Sequence, residues 1–188
     1  YEVANKLVDE KIIRNSKQFP FRFFSAYKSI EDHSNHNSGK LLTALNTAIE
    51  ISIKNLPRFD GITAAFADNS GSMDSQISAK SEVRAHEIAN VFAAIISKLS
   101  QNNIIGTFAD YFKVINFAAQ DSVLSTAQRI RQINVGTSTN GYLAIKYLND
   151  KNIKVDRIFT LSDEQMYDST GYYSSEKLKD EWNEYKKN

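Results

Sequence analysis

Ile62-Thr63-Ala64-Ala65-Phe66-Ala67 runs straight into Asp68-Asn69-Ser70-Gly71-Ser72-Met73. The first six residues form an uninterrupted apolar run of strand length, which predicts a strand buried on both faces, as in a parallel sheet. The next six place a carboxylate at the strand's end and hydroxyls at the second and fourth positions after it. Such a turn gathers three oxygens, and Gly71 is expected to let the backbone fold so that they converge. Hard cations such as Mg²⁺ take an oxygen shell of this kind and keep several waters. Asp, Ser and Gly also make ordinary turns, so this stretch alone leaves a plain turn and a metal loop both open.

Two later stretches add to it. Gly136-Thr137-Ser138-Thr139 falls in a loop before a helical pattern, and Arg157-Ile158-Phe159-Thr160-Leu161-Ser162-Asp163 reads as a strand ending in an acid. Asp-x-Ser-x-Ser, a threonine loop and a strand-terminal acid, in that order, resemble the metal-ion-dependent adhesion site of von Willebrand factor A domains. The resemblance implies that Asp68, Ser70, Ser72 and Thr137 supply oxygens to one divalent cation, Mg²⁺ or a similar ion. Asp163 would bind it directly or through water. Two carboxylates only balance the charge of Mg²⁺, so the ion would stay electrophilic toward an outside carboxylate or phosphate. An acidic protein or a phosphate ligand is therefore a candidate partner at the metal. A structural or empty site is the competing reading.

The pattern after residue 57 is strand, helix, strand, strand, helix, helix, strand, helix. A long helix is predicted over Glu82–Leu99, with Val83, Ile88, Phe92, Ile95, Ile96 and Leu99 inward. Ile104–Ala109 and Phe112–Phe117 should form a tight antiparallel hairpin. Ser122–Ile133 and Asn140–Asn149 read as helices and Val155–Leu161 as a strand. Ser174–Lys187 reads as a last helix with Leu178, Trp182 and Tyr185 inward. This alternation predicts an α/β fold, a doubly wound and mostly parallel sheet with ligands at the carboxyl ends of its strands. The chain ends where an A domain ordinarily adds its last strand.

Residues 1–57 read differently. Residues 1–18 predict one helix with Val3, Leu7 and Ile12 or Ile13 on its apolar side, and Phe19-Pro20 ends it. Phe21–Ile30 is a short aromatic helix that has to be buried. Lys40–Leu56 carries Leu41, Leu45, Ala48, Ile49, Ser52, Ile53 and Leu56 at helical spacing before Pro57. Between them lies a polar loop, whose His33, His36 and Asp32 lack the spacing of a structural metal site. Gln18-Phe19-Pro20-Phe21-Arg22-Phe23-Phe24-Ser25-Ala26-Tyr27 resembles the Pro-Phe helix late in the TROVE module. That module is the ring of helical repeats in the Ro ribonucleoproteins, which a von Willebrand factor A domain closes on its C-terminal side. The expected organisation is the last helices of a TROVE-like module over 1–57 and an A-like domain over 58–188.

The resemblance implies a non-enzymatic RNA-binding protein whose helical ring takes small noncoding or misfolded RNA. The alternative is an A domain with a metal-dependent protein ligand, as in adhesion or chaperone assemblies, and no RNA. Charge does not choose between them, because the net charge is only +1. Lys11, Arg14, Lys17, Arg22 and Lys28 could form a local basic face, though Asp9, Glu10 and Glu31 interrupt it. Tyr167, Tyr172 and Tyr173 could stack on bases or merely pack a loop. Catalysis is not expected. Asp74 and Asp110 are the only extra acids near the motif, Ser70 and Ser72 lack a Gly-x-Ser-x-Gly frame, and the last histidine is His86.

With 188 residues, 41% hydrophobic and 24% charged, the composition is that of an ordinary globular protein. No apolar run approaches the roughly 20 residues of a membrane span. The chain has no cysteine, which rules out disulfides and thiolate metal sites and is compatible with the expected cytoplasmic location. Beginning at Tyr1, it reads as a piece of a longer protein.

Overall fold

The computed structural model describes residues 2–33, 38–79, 81–118, 120–164, 166, 168–169 and 176–187. Its centre is strand β1 (Phe59–Asp68), buried from Thr63 onward. Strands β2 (Ser100–Phe108) and β4 (Arg157–Leu161) flank β1 in parallel, and β3 (Phe112–Ile115) pairs antiparallel with β2, giving the order β3-β2-β1-β4. The register sets Asp68 opposite Phe108 and Ala67 opposite Leu161. The ends of all three parallel strands therefore come out along one edge.

Alternation along β1 divides the core in two. Ala65 and Ala67 pack with Ala89, Ala93 and Ile96 of α5 (Ala85–Leu99) and Ile130 of α6 (Val123–Gln132). Ala64 and Phe66 pack on the opposite face with Ala144, Ile145 and Leu148 of α7 (Tyr142–Asp150), bordered by Leu178 and Tyr185 of α8 (Glu176–Tyr185). Covering both faces is what requires a strand without polar alternation. The expected α/β architecture with a mostly parallel sheet is the observed one.

The N-terminal helices add a layer outside α5 and α6. Ile13 of α2 (Glu10–Ser16), Phe23 and Phe24 of α3 (Pro20–Glu31), and Leu45, Ile49 and Ile53 of α4 (Gly39–Ile53) share one cluster with Val91, Ile95 and Leu99 of α5 and Val123 and Ala127 of α6. Helix α5 thus has apolar contacts on two sides, toward the sheet and toward the helical layer.

Several expectations are corrected. Residues 1–18 form two helices, α1 (Glu2–Val8) and α2, because Asp9 leaves the helical region (φ −76°, ψ 110°) and accepts from the Ile12 N–H at 2.9 Å as an N-cap. Of the proposed apolar side, Ile13 is buried but Val3 and Ile12 are exposed. Helix α4 stops at Ile53, ahead of Pro57, in a turn that bonds Lys54, Asn55 and Leu56 back to it. Phe92 does not face the core. It is 40% exposed and stacks on Phe21 at 6.0 Å, on a flank of α5 between its two packed faces. Trp182 is likewise exposed and stacks on Tyr185 at 5.6 Å. Phe23 and Phe24 are buried while Phe21 and Tyr27 are half-buried. Lys28 faces inward to Glu31 and Glu87, at 2.7 and 3.0 Å, so it is not part of a free basic face. His36, Tyr167, Tyr172 and Tyr173 lie outside the described residues.

Candidate functional site

Asp68 terminates β1 with no solvent exposure. Its Oδ1 accepts from the Ser70 N–H at 2.9 Å and its Oδ2 from the Ser162 hydroxyl at 2.8 Å. Ser70 Oγ lies 3.3 Å from Ser72 Oγ, where Gly71–Asp74 forms a turn of 3₁₀ helix. Adjacent oxygens in an octahedral Mg²⁺ shell sit about 3 Å apart, so these two hydroxyls fit neighbouring positions of one shell.

Gly71 sits at the start of that turn. Its backbone is not in the left-handed region. Its N–H donates to the Thr137 carbonyl at 2.8 Å, and a Cβ would make only an ordinary contact with that oxygen, at 3.4 Å. The threonine loop is thereby tied to the serine loop. Its own turn needs Gly136, at φ +89°, where any Cβ would collide with the Asp110 carboxylate. That carboxylate accepts from the Ser138 N–H at 2.8 Å and the Thr137 N–H at 3.3 Å. The bonds from Ser138 come first among the causes that hold the Asp110 pKa below its ordinary value. Asp74 also has a structural task. Its carboxylate takes Arg131 at 2.6 Å and stands 3.4 Å from His86 Nε2, and its carbonyl takes Arg84 at 2.6 Å. Neither extra acid is a free base for catalysis.

The sequence-predicted residues therefore collect at the carboxyl ends of β1 and β4. Asp68, Ser70 and Ser72 are brought together directly. Thr137 reaches them through its backbone carbonyl, with its side chain beside Gly71. Asp163, half-buried, follows Ser162, and its charge contributes to the raised pKa of Asp68. Burial is the largest cause of that rise, and the bonds from Ser70 and Ser162 oppose it. Among the described residues no lysine, arginine or histidine pairs with Asp68. A buried carboxylate with only hydroxyl and amide donors carries a large desolvation cost that a bound cation would offset. No three His, Cys, Asp or Glu side chains converge as a metal cluster among the described residues. The donor set expected from the sequence, two carboxylates and three hydroxyls, would suit a hard cation rather than zinc.

Sequence reasoning passed over the support of this loop. Asn69, 4% exposed, donates its amide to Thr107 Oγ1 at 2.6 Å and to Asn90 Oδ1 at 3.1 Å, and Asn90 returns a bond at 3.0 Å. The Asn69 N–H donates to the Phe108 carbonyl. A polar residue inside the apolar pattern of Glu82–Leu99 was the available signal for Asn90. Ser162 was equally visible, as the hydroxyl just ahead of Asp163.

Comparison with known proteins places both halves of the chain. The family model of the TROVE domain matches residues 1–103, and that of the Ro60 vWA domain matches residues 64–186. No curated protein sequence matches significantly. Among solved structures, the crystal structure of the Deinococcus radiodurans RO (RSR) protein superposes with a TM-score of 0.73 at 15% identity, over 98% of this chain and 38% of that one. At that identity the likeness speaks for the fold, and this chain spans little more than a third of the protein it matches. Two family models, each covering over half of the chain and overlapping over residues 64–103, carry the assignment: the chain belongs to the Ro family, in which a TROVE domain is joined to a Ro60-type von Willebrand factor A domain.

Proposed function

We propose that this chain is part of a Ro-type protein that binds small noncoding or misfolded RNA through its helical module and does not cleave it. The observation that carries this reading is the TROVE match running into the Ro60 vWA match. In this reading the helical module ends near residue 57, after α4, inside the stretch that the TROVE model matches, and the A-type domain runs over 58–188, with the helical layer and α5 sharing one core. No described helix is long and apolar enough to cross a membrane, and the cysteine-free composition accords with a cytoplasmic setting.

In this reading Asp68, Ser70, Ser72, Thr137 and Asp163 hold one divalent cation, Mg²⁺ or a similar ion. When bound, the ion would supply an electrophilic docking point for a carboxylate or phosphate. The buried Asp68 charge supports the assignment. Ser162 orients Asp68, Asp110 shapes the threonine loop, and the Asn69–Asn90 pair seats the serine loop on α5.

The first test compares the intact protein with its Asp68→Ala variant, titrated with structured RNA with and without chelator, alongside an RNA-cleavage assay. The expected result is equal RNA affinity, no cleavage, and loss of Mg²⁺ binding in the variant. Metal-dependent cleavage that disappears in Asp68→Ala would overturn the non-enzymatic reading. Absence of any RNA binding by the intact protein would favour the protein-ligand alternative.

A further inference from the structure

Where α3, α5 and α6 meet, a cavity of about 260 Å³ opens between the helical layer and the A-type domain. Its size falls below the roughly 300 Å³ at which drug-sized ligands begin, which leaves room for one ring system. Phe24, Val91, Leu124 and Ala127 give it an apolar floor, and the half-buried Tyr27 stands in its wall.

The polar groups are specific. His86 lines the cavity, is 7% exposed, and its buried Nδ1 has no hydrogen-bond partner among the described residues. Burial, followed by the nearby Arg131 charge, lowers the His86 pKa, and with Nε2 standing 3.4 Å from Asp74 the ring is left with Nδ1 as its unpartnered acceptor. Gln128 adds an exposed amide at the opening. The charged lining is already balanced. Lys28 is held by Glu31 and Glu87 at 2.7 and 3.0 Å, and Arg131 by Asp74 at 2.6 Å. An anion would have to displace these carboxylates, whereas a neutral ligand would not.

We infer that this cavity is a binding site for a neutral planar heterocycle, a nucleobase, with its ring against Tyr27 and the apolar floor and its polar edge toward His86 and Gln128. An aromatic wall binds any base through its π face, and the edge groups then discriminate among bases. The RNA-binding reading supplies the source of such a base, an unpaired nucleotide; the pocket itself is a property of these three helices.

The test titrates the intact protein with adenosine, guanosine, cytidine, uridine and adenosine 5′-monophosphate. Binding is followed by ligand-observed NMR and by the His86 ring resonances, which His86→Phe assigns. At least one nucleoside should bind and shift those resonances, and the monophosphate should bind no more than about threefold tighter than adenosine. Gln128→Trp, which plugs the opening from an exposed position, and Ala127→Leu, which fills the wall, should each weaken binding at least tenfold while thermal melts show a folded protein. If Ala127→Leu fails to fold, Gln128→Trp decides alone. No binding by any nucleoside, unchanged affinity in a folded variant, or a monophosphate bound tenfold tighter would each overturn the proposal. Because free nucleosides are used, the pocket can fail while RNA binding stands, and the reverse.

Discussion

Asp68 is the residue whose environment departs most from what its type prefers. Burial raises its pKa, so the folded state holds a proton there more tightly than the unfolded state does. Its contribution to stability is then fully present below the unfolded value, about 3.9, and is lost as pH rises through the raised folded value. In chelator, Asp68→Asn should therefore melt higher than the wild type at pH 7, and the difference should vanish near pH 3. Mg²⁺ at about a hundred times its dissociation constant should stabilise the wild type by about 2.7 kcal/mol and leave Asp68→Asn unmoved. Calorimetry with and without Mg²⁺ checks both, and equal stabilisation of the two proteins would remove Asp68 from the metal shell. Asn90 makes a second case at this scale. Asn90→Ala leaves the buried Asn69 amide short of a partner and should cost about 1–3 kcal/mol in urea unfolding. The Asp-x-Ser-x-Ser order was legible without coordinates because it lies within one turn of chain. The Asn69–Asn90 pair was not, since 21 positions separate its members and only the docking of α5 brings them together.

Among the elements, α5 is held from two sides, and each side follows from its sequence. Ala89 and Ala93 bring its backbone close to β1, while Val91, Ile95 and Leu99 fill the space under α3 and α4. Enlarging a residue at the close approach should therefore hurt more than trimming one on the exposed flank. Ala93→Leu, at a position with no exposure, should destabilise by about 1–3 kcal/mol, whereas Phe92→Leu at the exposed flank should stay within about 1 kcal/mol. Chemical denaturation of the two variants checks this, and equal losses would mean that Phe92 is a core residue after all. Apolar periodicity located the end of this helix at Leu99 but began it at Glu82 rather than Ala85, and it could not rank its faces. Period 3.6 marks which residues share a side, and α5 has apolar residues on more than one. The break between α1 and α2 was missed for a related reason: Asp9 reads equally well as a polar position of a continuous helix and as the cap of a new one.

Over the whole molecule, the helical layer and the A-type domain share the cluster that joins α2, α3 and α4 to α5 and α6. A shared core predicts one cooperative transition rather than two. Ile49→Ala in α4 and Leu148→Ala in α7, both fully buried and on opposite sides of the sheet, should each cost about 2–5 kcal/mol and shift the same transition. Two separate melting steps, with each variant moving only one, would show that the layers fold independently. The sequence by itself determined the strand–helix alternation, the buried central strand, the placing of Asp68 and Asp163 at the carboxyl ends of two neighbouring strands and the burial of Phe23 and Phe24. These depend on local period, turn chemistry and apolar runs, which a short window of chain contains. Only the tertiary structure decided that the Gly71 N–H ties the serine loop to the threonine loop, that Asp110 and Asp74 brace loops, that Lys28 points inward, and that three helices leave a cavity beside His86. Each of these depends on groups far apart in the chain meeting across an interface, and the distance between such groups is set by packing, which no local pattern encodes.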